Sequence, residues 1–171
     1  MNTRRPYAWR RSNGEVYGDS FAYEDTMFPV WRRSDLLEDT AQVFATRYEG
    51  IPKAYPLADL EMEKVINDVV GETAVVLVAP GEIIRVAGEN RRAGEVSYDA
   101  GREVRAYDRG EHTFSWDAES NILRDEEGRA WRVTEEALVG PDGETAGRLP
   151  GHLAYWFGWY AFFPNTLVYG R

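Results

Sequence analysis

The sequence predicts a mainly β chain of the α+β kind, a barrel-like or sandwich arrangement of about eight to ten short antiparallel strands with little helix. Three observations carry this. Between residues 42 and 133, short strand-like segments recur, separated by Gly, Asp or Asn turns. One of them, Val75-Val76-Leu77-Val78, is a continuous apolar run of the kind a strand buried on both faces shows. Helical spacing is confined to a short stretch at 57–64 and to an aromatic stretch at 152–163.

With 171 residues against roughly 150 per domain, a single domain spanning 1–171 is expected, divided into an extended wrapping segment at 1–34 and a β body at 35–171. Hydrophobic residues at 43% and charged residues at 29% are ordinary globular values and exclude a disordered class. Twenty Lys+Arg against 29 Asp+Glu leave a net charge of −9, so no nucleic-acid partner is expected, because such binding needs cations to displace phosphate counterions. The absence of cysteine excludes disulfides, thiolate ligands and cysteine nucleophiles, and two histidines exclude a His-rich metal centre. No secretory signal is expected, because Arg4, Arg5, Arg10 and Arg11 are followed by Ser-Asn-Gly-Glu rather than an apolar region. The longest uncharged apolar run, 153–163, is short of the roughly 20 residues a membrane-crossing helix needs, so no transmembrane segment is expected.

The elements follow in order. Residues 1–34 show neither period, and Gly14, Gly18 and Pro29 punctuate them. Six arginines there, interleaved with Tyr7, Trp9, Tyr17, Phe21 and Tyr23, read as a segment packing its rings on an acidic body, with a nucleic-acid arm as the competing reading. Gln42–Tyr48 and 51–55 flank Glu49-Gly50 and predict a hairpin ended by Pro56. Leu57, Leu60 and Met62 among good helix formers predict one or two helical turns at 57–64. Strands are predicted at 65–70, 73–79, 82–87, 95–98, 102–108, 112–116, 121–124 and 130–133, with the second of these central. Phe114 and Trp116 share one face, as Val104 and Ala106 do, which is the period of a half-buried strand. Pro141-Asp142-Gly143 is a turn. Seven aromatics within 152–163, followed by Pro164, predict a helix of about three turns, buried in its own fold or docked on a partner or a membrane surface.

Ala54-Tyr55-Pro56-Leu57, Val65-Ile66-Asn67-Asp68 with Gly71, Leu123-Arg124-Asp125 with Gly128 and Trp131, and then Trp156, Trp159, Pro164 and Thr166 form an ordered set of landmarks. In that order and spacing the chain resembles the domain of unknown function 3179 family over residues 43–170. The resemblance implies a bacterial or archaeal protein, allows an extracytoplasmic location, and implies no established activity. Typical members carry a His-Glu pair before the Asn-Asp element and a Cys-Pro-Leu-Cys motif after the apolar strand, residues suited to a soft metal or redox chemistry. Here Glu63-Lys64 and Ala79-Pro80-Gly81-Glu82 stand at those places. A metal or thiol site would be lost, unless Glu63 and Glu82 form an all-oxygen one.

Other chemistry has thin support. No Gly-x-Ser-x-Gly elbow, phosphate loop or calcium loop occurs, and a lone His112 or His152 supports no triad. Asn67 and Asp68 fit either a ligand-orienting pair or the satisfaction of backbone groups at a turn, and Asp125 near Trp131 invites the same two readings. Tyr155, Trp156 and Trp159, with Tyr160, fit either an aromatic pocket wall or core packing. The candidate ligand-binding residues are therefore Asn67, Asp68, Asp125, Tyr155, Trp156 and Trp159; no catalytic residue, metal ligand or cofactor is assigned. The leading expectation is a non-catalytic ligand-binding or assembly module, with a protein partner or a small ligand. One alternative is a metal-dependent or hydrolytic enzyme using Glu63, Asp68, Glu82 and Asp125. The other is an accessory subunit docking on a membrane complex through Trp156 and Trp159.

Overall fold

A computed structural model describes residues 32–81, 83–90 and 94–171, with backbone only for 83–90 and 94–102. Residues 1–31 of the wrap predicted at 1–34, and Glu82, lie outside the described residues. The chain is mainly β, with a nearly closed antiparallel barrel-like sheet and, among the described residues, two short α-helices.

The first hairpin pairs β1 (Gln42–Tyr48) with β2 (Ile51–Pro56). Its two-residue turn places Glu49 at φ 51° and Gly50 at φ 84°, the left-handed pair that matches strand twist. Helix α1 (Leu57–Glu63) follows directly and buries Leu60. β3 (Val65–Val70) and β4 (Thr73–Val78) form the next hairpin, turned by Gly71 at φ 64°. A Cβ on Gly71 would stand 2.8 Å from Glu49 Oε2, because Glu49 reaches across to accept from the Glu72 N–H and the Thr73 hydroxyl, both at 3.2 Å. The two hairpin turns are thus tied together.

An excursion of β5 (Ile83–Asn90) and β6 (Gly94–Arg102), paired with each other, precedes β7 (Arg105–Asp108), which returns to lie beside β4. The remaining strands are β8 (Ser115–Asp117), β9 (Ile122–Arg124), β10 (Ala130–Val133), β11 (Ala137–Val139), β12 (Thr145–Leu149), β13 (His152–Tyr155) and β14 (Leu167–Val168), with helix α2 (Trp156–Phe162) between the last two. Fourteen strands stand among the described residues, more than the eight to ten expected. The excess lies in β11, β12, β13 and β14, which the hydrophobic pattern did not mark. The expected C-terminal helix also begins later, since residues 152–155 extend to pair with Gln42–Ala45 of β1 before the chain turns helical.

Eight strands form one sheet in the order β3-β4-β7-β12-β11-β10-β9-β8, and four form another in the order β13-β1-β2-β14. Alternation along β3 and β4 sorts side chains to two cores. Val65, Val76 and Val78 face the barrel interior with Tyr107, Phe114 and Trp131. Ile66, Val70, Val75 and Leu77 face outward, against Phe44 and Tyr55 of the smaller sheet. The far side of that sheet carries Val43, Ala45 and Ala54 and is covered by Trp156 and Trp159 of α2. β4 is buried on both faces, as its unbroken apolar run predicts.

The two edges of the eight-stranded sheet, β3 and β8, are joined by a side chain. The Asn67 amide nitrogen donates to the Phe114 carbonyl at 2.7 Å, and its oxygen accepts from the Phe114 N–H at 2.8 Å. A primary amide presents an N–H donor and a carbonyl acceptor side by side, so it reproduces the paired bonds one strand residue would make with another. Phe114 directly precedes β8, so Asn67 supplies the pairing that the backbone of the last strand does not reach.

Asn67→Ala removes both bonds and leaves the Phe114 backbone groups without a partner. A loss of about 2–3 kcal/mol is expected in urea unfolding, with the far-UV circular dichroism of the native state retained. Asn67→Asp is expected to cost more, because it sets a carboxylate oxygen against the Phe114 carbonyl.

Candidate functional site

The residues singled out from the sequence fall in three separate layers. Asn67 and Asp68 are neighbours on β3 and therefore point to opposite faces. Asn67 faces the barrel interior and closes the sheet. Asp68 faces the smaller sheet, where its Oδ2 accepts from the Tyr55 hydroxyl at 2.9 Å and pairs with Lys53 Nζ at 2.6 Å, while Oδ1 accepts from the Val69 N–H at 2.7 Å. Lys53, one of two lysines in the chain, also lies 5.6 Å from the centre of the Tyr55 ring. Burial, and then the Asp68 charge, push the Tyr55 hydroxyl well above the ordinary phenol range, so it stays a neutral donor. Tyr169 lies tilted against Tyr55 with ring centres 5.7 Å apart, and its hydroxyl donates to Glu63 at 3.1 Å. Lys53, Tyr55 and Tyr169 were not among the residues expected at a site, whereas Glu63 was, as one of an all-oxygen pair with Glu82; the four come from β2, the end of α1 and the C-terminal stretch, so no single local motif marks the group.

Asp125 sits in the β9–β10 turn, and its side chain is fully buried. Its Oδ1 accepts from the Glu127 N–H at 3.0 Å and the Arg129 N–H at 2.9 Å; its Oδ2 accepts from Arg129 Nε and Trp131 Nε1, each at 2.8 Å. Burial works against the charge, but the indole N–H of Trp131 and the two Arg129 donors outweigh it, and the carboxyl is held below the ordinary range. All the acceptor directions needed to orient a water are already directed at the fold. Trp131 in turn stands edge-on to Phe114 at 5.1 Å, so Asp125 and Asn67 brace the same barrel core from two sides.

The aromatic candidates belong to the third layer. Trp156 is 0% exposed, and Trp159 is 5% exposed with its Nε1 donating to the Thr166 hydroxyl at 2.8 Å. Docking through these two rings would take them out of the core they fill. Tyr155 is half-buried and stacks on Phe157 at 6.0 Å. No helix of the described residues is long and apolar enough to cross a membrane.

A second polar group that the sequence did not signal lies at one end of the barrel. His112 stands between two carboxylates, its Nδ1 3.1 Å from Glu126 and its Nε2 2.8 Å from Glu144. It borders a pocket of about 380 Å³ with Asp108, Arg109, Glu111 and Trp131. Among the described residues, no group of three or more His, Asp or Glu is arranged to hold a metal ion. Glu63 and Glu82, the pair that would make an all-oxygen site, cannot be placed together, since Glu82 lies outside the described residues.

A family model described as "Protein of unknown function (DUF3179)" matches residues 2–166. No curated protein and no solved structure matches.

The buried Asp125 cluster gives acid sensitivity of a definite sign. A depressed carboxyl pKa adds stability that is fully present above the ordinary value of about 3.9 and is lost as pH falls through the folded value. In urea unfolding at about pH 7, Asp125→Asn is expected to lose on the order of 3 kcal/mol, and at about pH 3 the gap to the wild-type chain is expected to narrow.

Proposed function

We propose that this chain, which belongs to the DUF3179 family of proteins of unknown function, works as a single-domain, non-catalytic binding or assembly module. The observation that carries the reading is the use already made of its polar side chains. Asn67 completes a sheet, Asp68 holds Lys53 and Tyr55 between two layers, and Asp125 holds a turn and the Trp131 indole. A general base or a metal ligand needs a lone pair directed at a substrate or ion, and these groups direct theirs at the protein.

Apolar surface remains for recognition. The four-stranded layer exposes Phe162 of α2 at 82%, with Leu167 of β14 and Leu153 of β13 also outward, while Trp156 and Trp159 stay inside. The half-buried Tyr155–Phe157 stack belongs to the same layer. Contacts through exposed side chains leave the core undisturbed, which suits a module that binds without changing shape.

Two measurements test the reading. The purified chain is screened against ester, phosphoester, peptide and glycoside substrates and dialysed to equilibrium against Mg2+, Ca2+, Mn2+ and Zn2+; neither turnover nor uptake is expected. Turnover that disappears in Asp68→Asn, with circular dichroism and Tm unchanged, overturns it in favour of an enzyme. The second is native mass spectrometry of the chain as isolated, in which a bound small molecule or an associated chain is expected and a retained metal ion counts against the reading. In the same samples, Phe162→Ser is expected to keep wild-type stability to within about 0.5 kcal/mol, whereas Trp159→Ser, inside the core, is expected to lose about 3 kcal/mol or more.

A further inference from the structure

The strand registers bring three connections to one end of the barrel-like sheet: 109–114 between β7 and β8, 125–129 between β9 and β10, and 140–144 between β11 and β12. Each contributes to one cluster centred on His112. The His112 ring lies edge-on to Trp131 at 5.2 Å, and its backbone carbonyl accepts from Arg109 Nη1 at 2.8 Å. Around it stand Glu126, Glu144, Asp125 and Arg129, with Asp108, Arg109 and Glu111 along the adjoining pocket.

A neutral imidazole has one N–H and one bare lone pair, whereas both His112 ring nitrogens lie within hydrogen-bond distance of carboxylate oxygens. With both carboxylates ionised, only the imidazolium satisfies this arrangement. The two carboxylates are not held alike. Glu126 is anchored independently, because its other oxygen accepts from the Thr113 N–H at 2.8 Å. The Glu144 side chain has no such backbone anchor among the described residues, where its other oxygen lies 4.0 Å from Arg129.

We propose that His112 is a proton-operated latch over this end of the barrel, closed as the imidazolium and released at Glu144 when the ring loses its proton. Because Glu126 is fixed, the remaining proton stays on Nδ1. The lone pair then left on Nε2 faces the Glu144 carboxylate and repels it towards Arg129. The start of β12 loses its tie to the β7–β8 connection, and the wall of the 380 Å³ pocket that His112 and Glu144 share opens. The Glu144 bond, opposed by burial and aided by the bond to Glu126, raises the His112 pKa above its ordinary value. A raised histidine pKa adds stability that is fully present below the unfolded value of about 6.5 and is lost as pH rises through the folded one, so the latch opens as pH rises through a midpoint above that value.

The test is a pH titration of the whole chain, labelled with 15N and followed by long-range correlation of the imidazole nitrogens, with His152→Asn used to assign the two rings. Expected are a His112 midpoint above about 6.5 and, beyond it, a ring protonated on Nδ1. Amide exchange at 145–147, corrected for its intrinsic pH dependence, is expected to accelerate through the same midpoint. Glu144→Gln, a change at a half-exposed side chain, is expected to lower the midpoint by about half a unit or more. A midpoint at or below about 6.5, a neutral ring protonated on Nε2, or protection at 145–147 that ignores the titration overturns the latch. The wild-type titration alone decides these three outcomes, whether or not the variant folds.

Discussion

Strict alternation along the β3–β4 hairpin is the constraint on which the rest of the structure depends. This hairpin is the wall shared by the barrel interior and the layer between the two sheets, so each of its buried side chains is committed to one core or the other. A slip of one residue would send Val76 and Val78 outward and would bring Asp68 into the barrel in place of Asn67. Register therefore fixes hydrophobic packing and the placement of the two polar neighbours at once. The ties at the hairpin ends guard it: Glu49 joins the turn of the first hairpin to that of the second, and the Ala79 N–H donates to the Lys64 carbonyl at 2.8 Å where the strands open.

The polar side chains act at the points where this architecture would otherwise fail. An open eight-stranded sheet has two free edges, and Asn67 covers the gap between them with one amide. A large ring such as Trp131 brings an indole N–H into the core with it, and Asp125 accepts that donor while closing the turn beside it. Gly140 gives way to the same ring, since a Cβ there would lie 2.8 Å from it. Two buried tyrosines end in similar fashion, Tyr107 donating to the Thr134 carbonyl at 2.6 Å and Tyr48 to the Pro150 carbonyl at 3.0 Å. Burial lifts the Tyr107 hydroxyl to about 12, so it remains a donor at any physiological pH.

Local signals in the sequence carried much of this fold, and long-range pairing supplied the rest. The first hairpin was legible because Glu49-Gly50 is a turn by composition, and β4 because four apolar residues in a row need two cores. β12, reading Thr-Ala-Gly-Arg-Leu, has weak strand preference and exists because β7 and β11 flank it. His152-Leu153-Ala154-Tyr155 continues the aromatic helical spacing in sequence, yet pairing with β1 draws it into a strand. The site followed the same division. Asp125 was readable as a turn residue from its neighbours, whereas the partners of His112 lie 14 and 32 residues along the chain, and nothing local marks them as partners.

Backbone pairing also governs the place where the resemblance to the family implies His and Cys. In this chain the two stretches, Glu63-Lys64 and the residues after β4, still meet. Lys64 adopts φ 63°, which turns the chain out of α1, and its carbonyl receives the Ala79 N–H. That junction is made by backbone groups and by a residue in the left-handed region, and neither needs an imidazole or a thiolate to persist. The scaffold at this junction thus stands without the side chains that the resemblance implies there. Glu63 has been drawn to Tyr169 across the layer, and the core beneath, from Leu60 to Ala79, is closed and apolar. The junction between α1 and the end of β4 therefore serves packing, and its backbone bonds hold whatever side chain stands at 63.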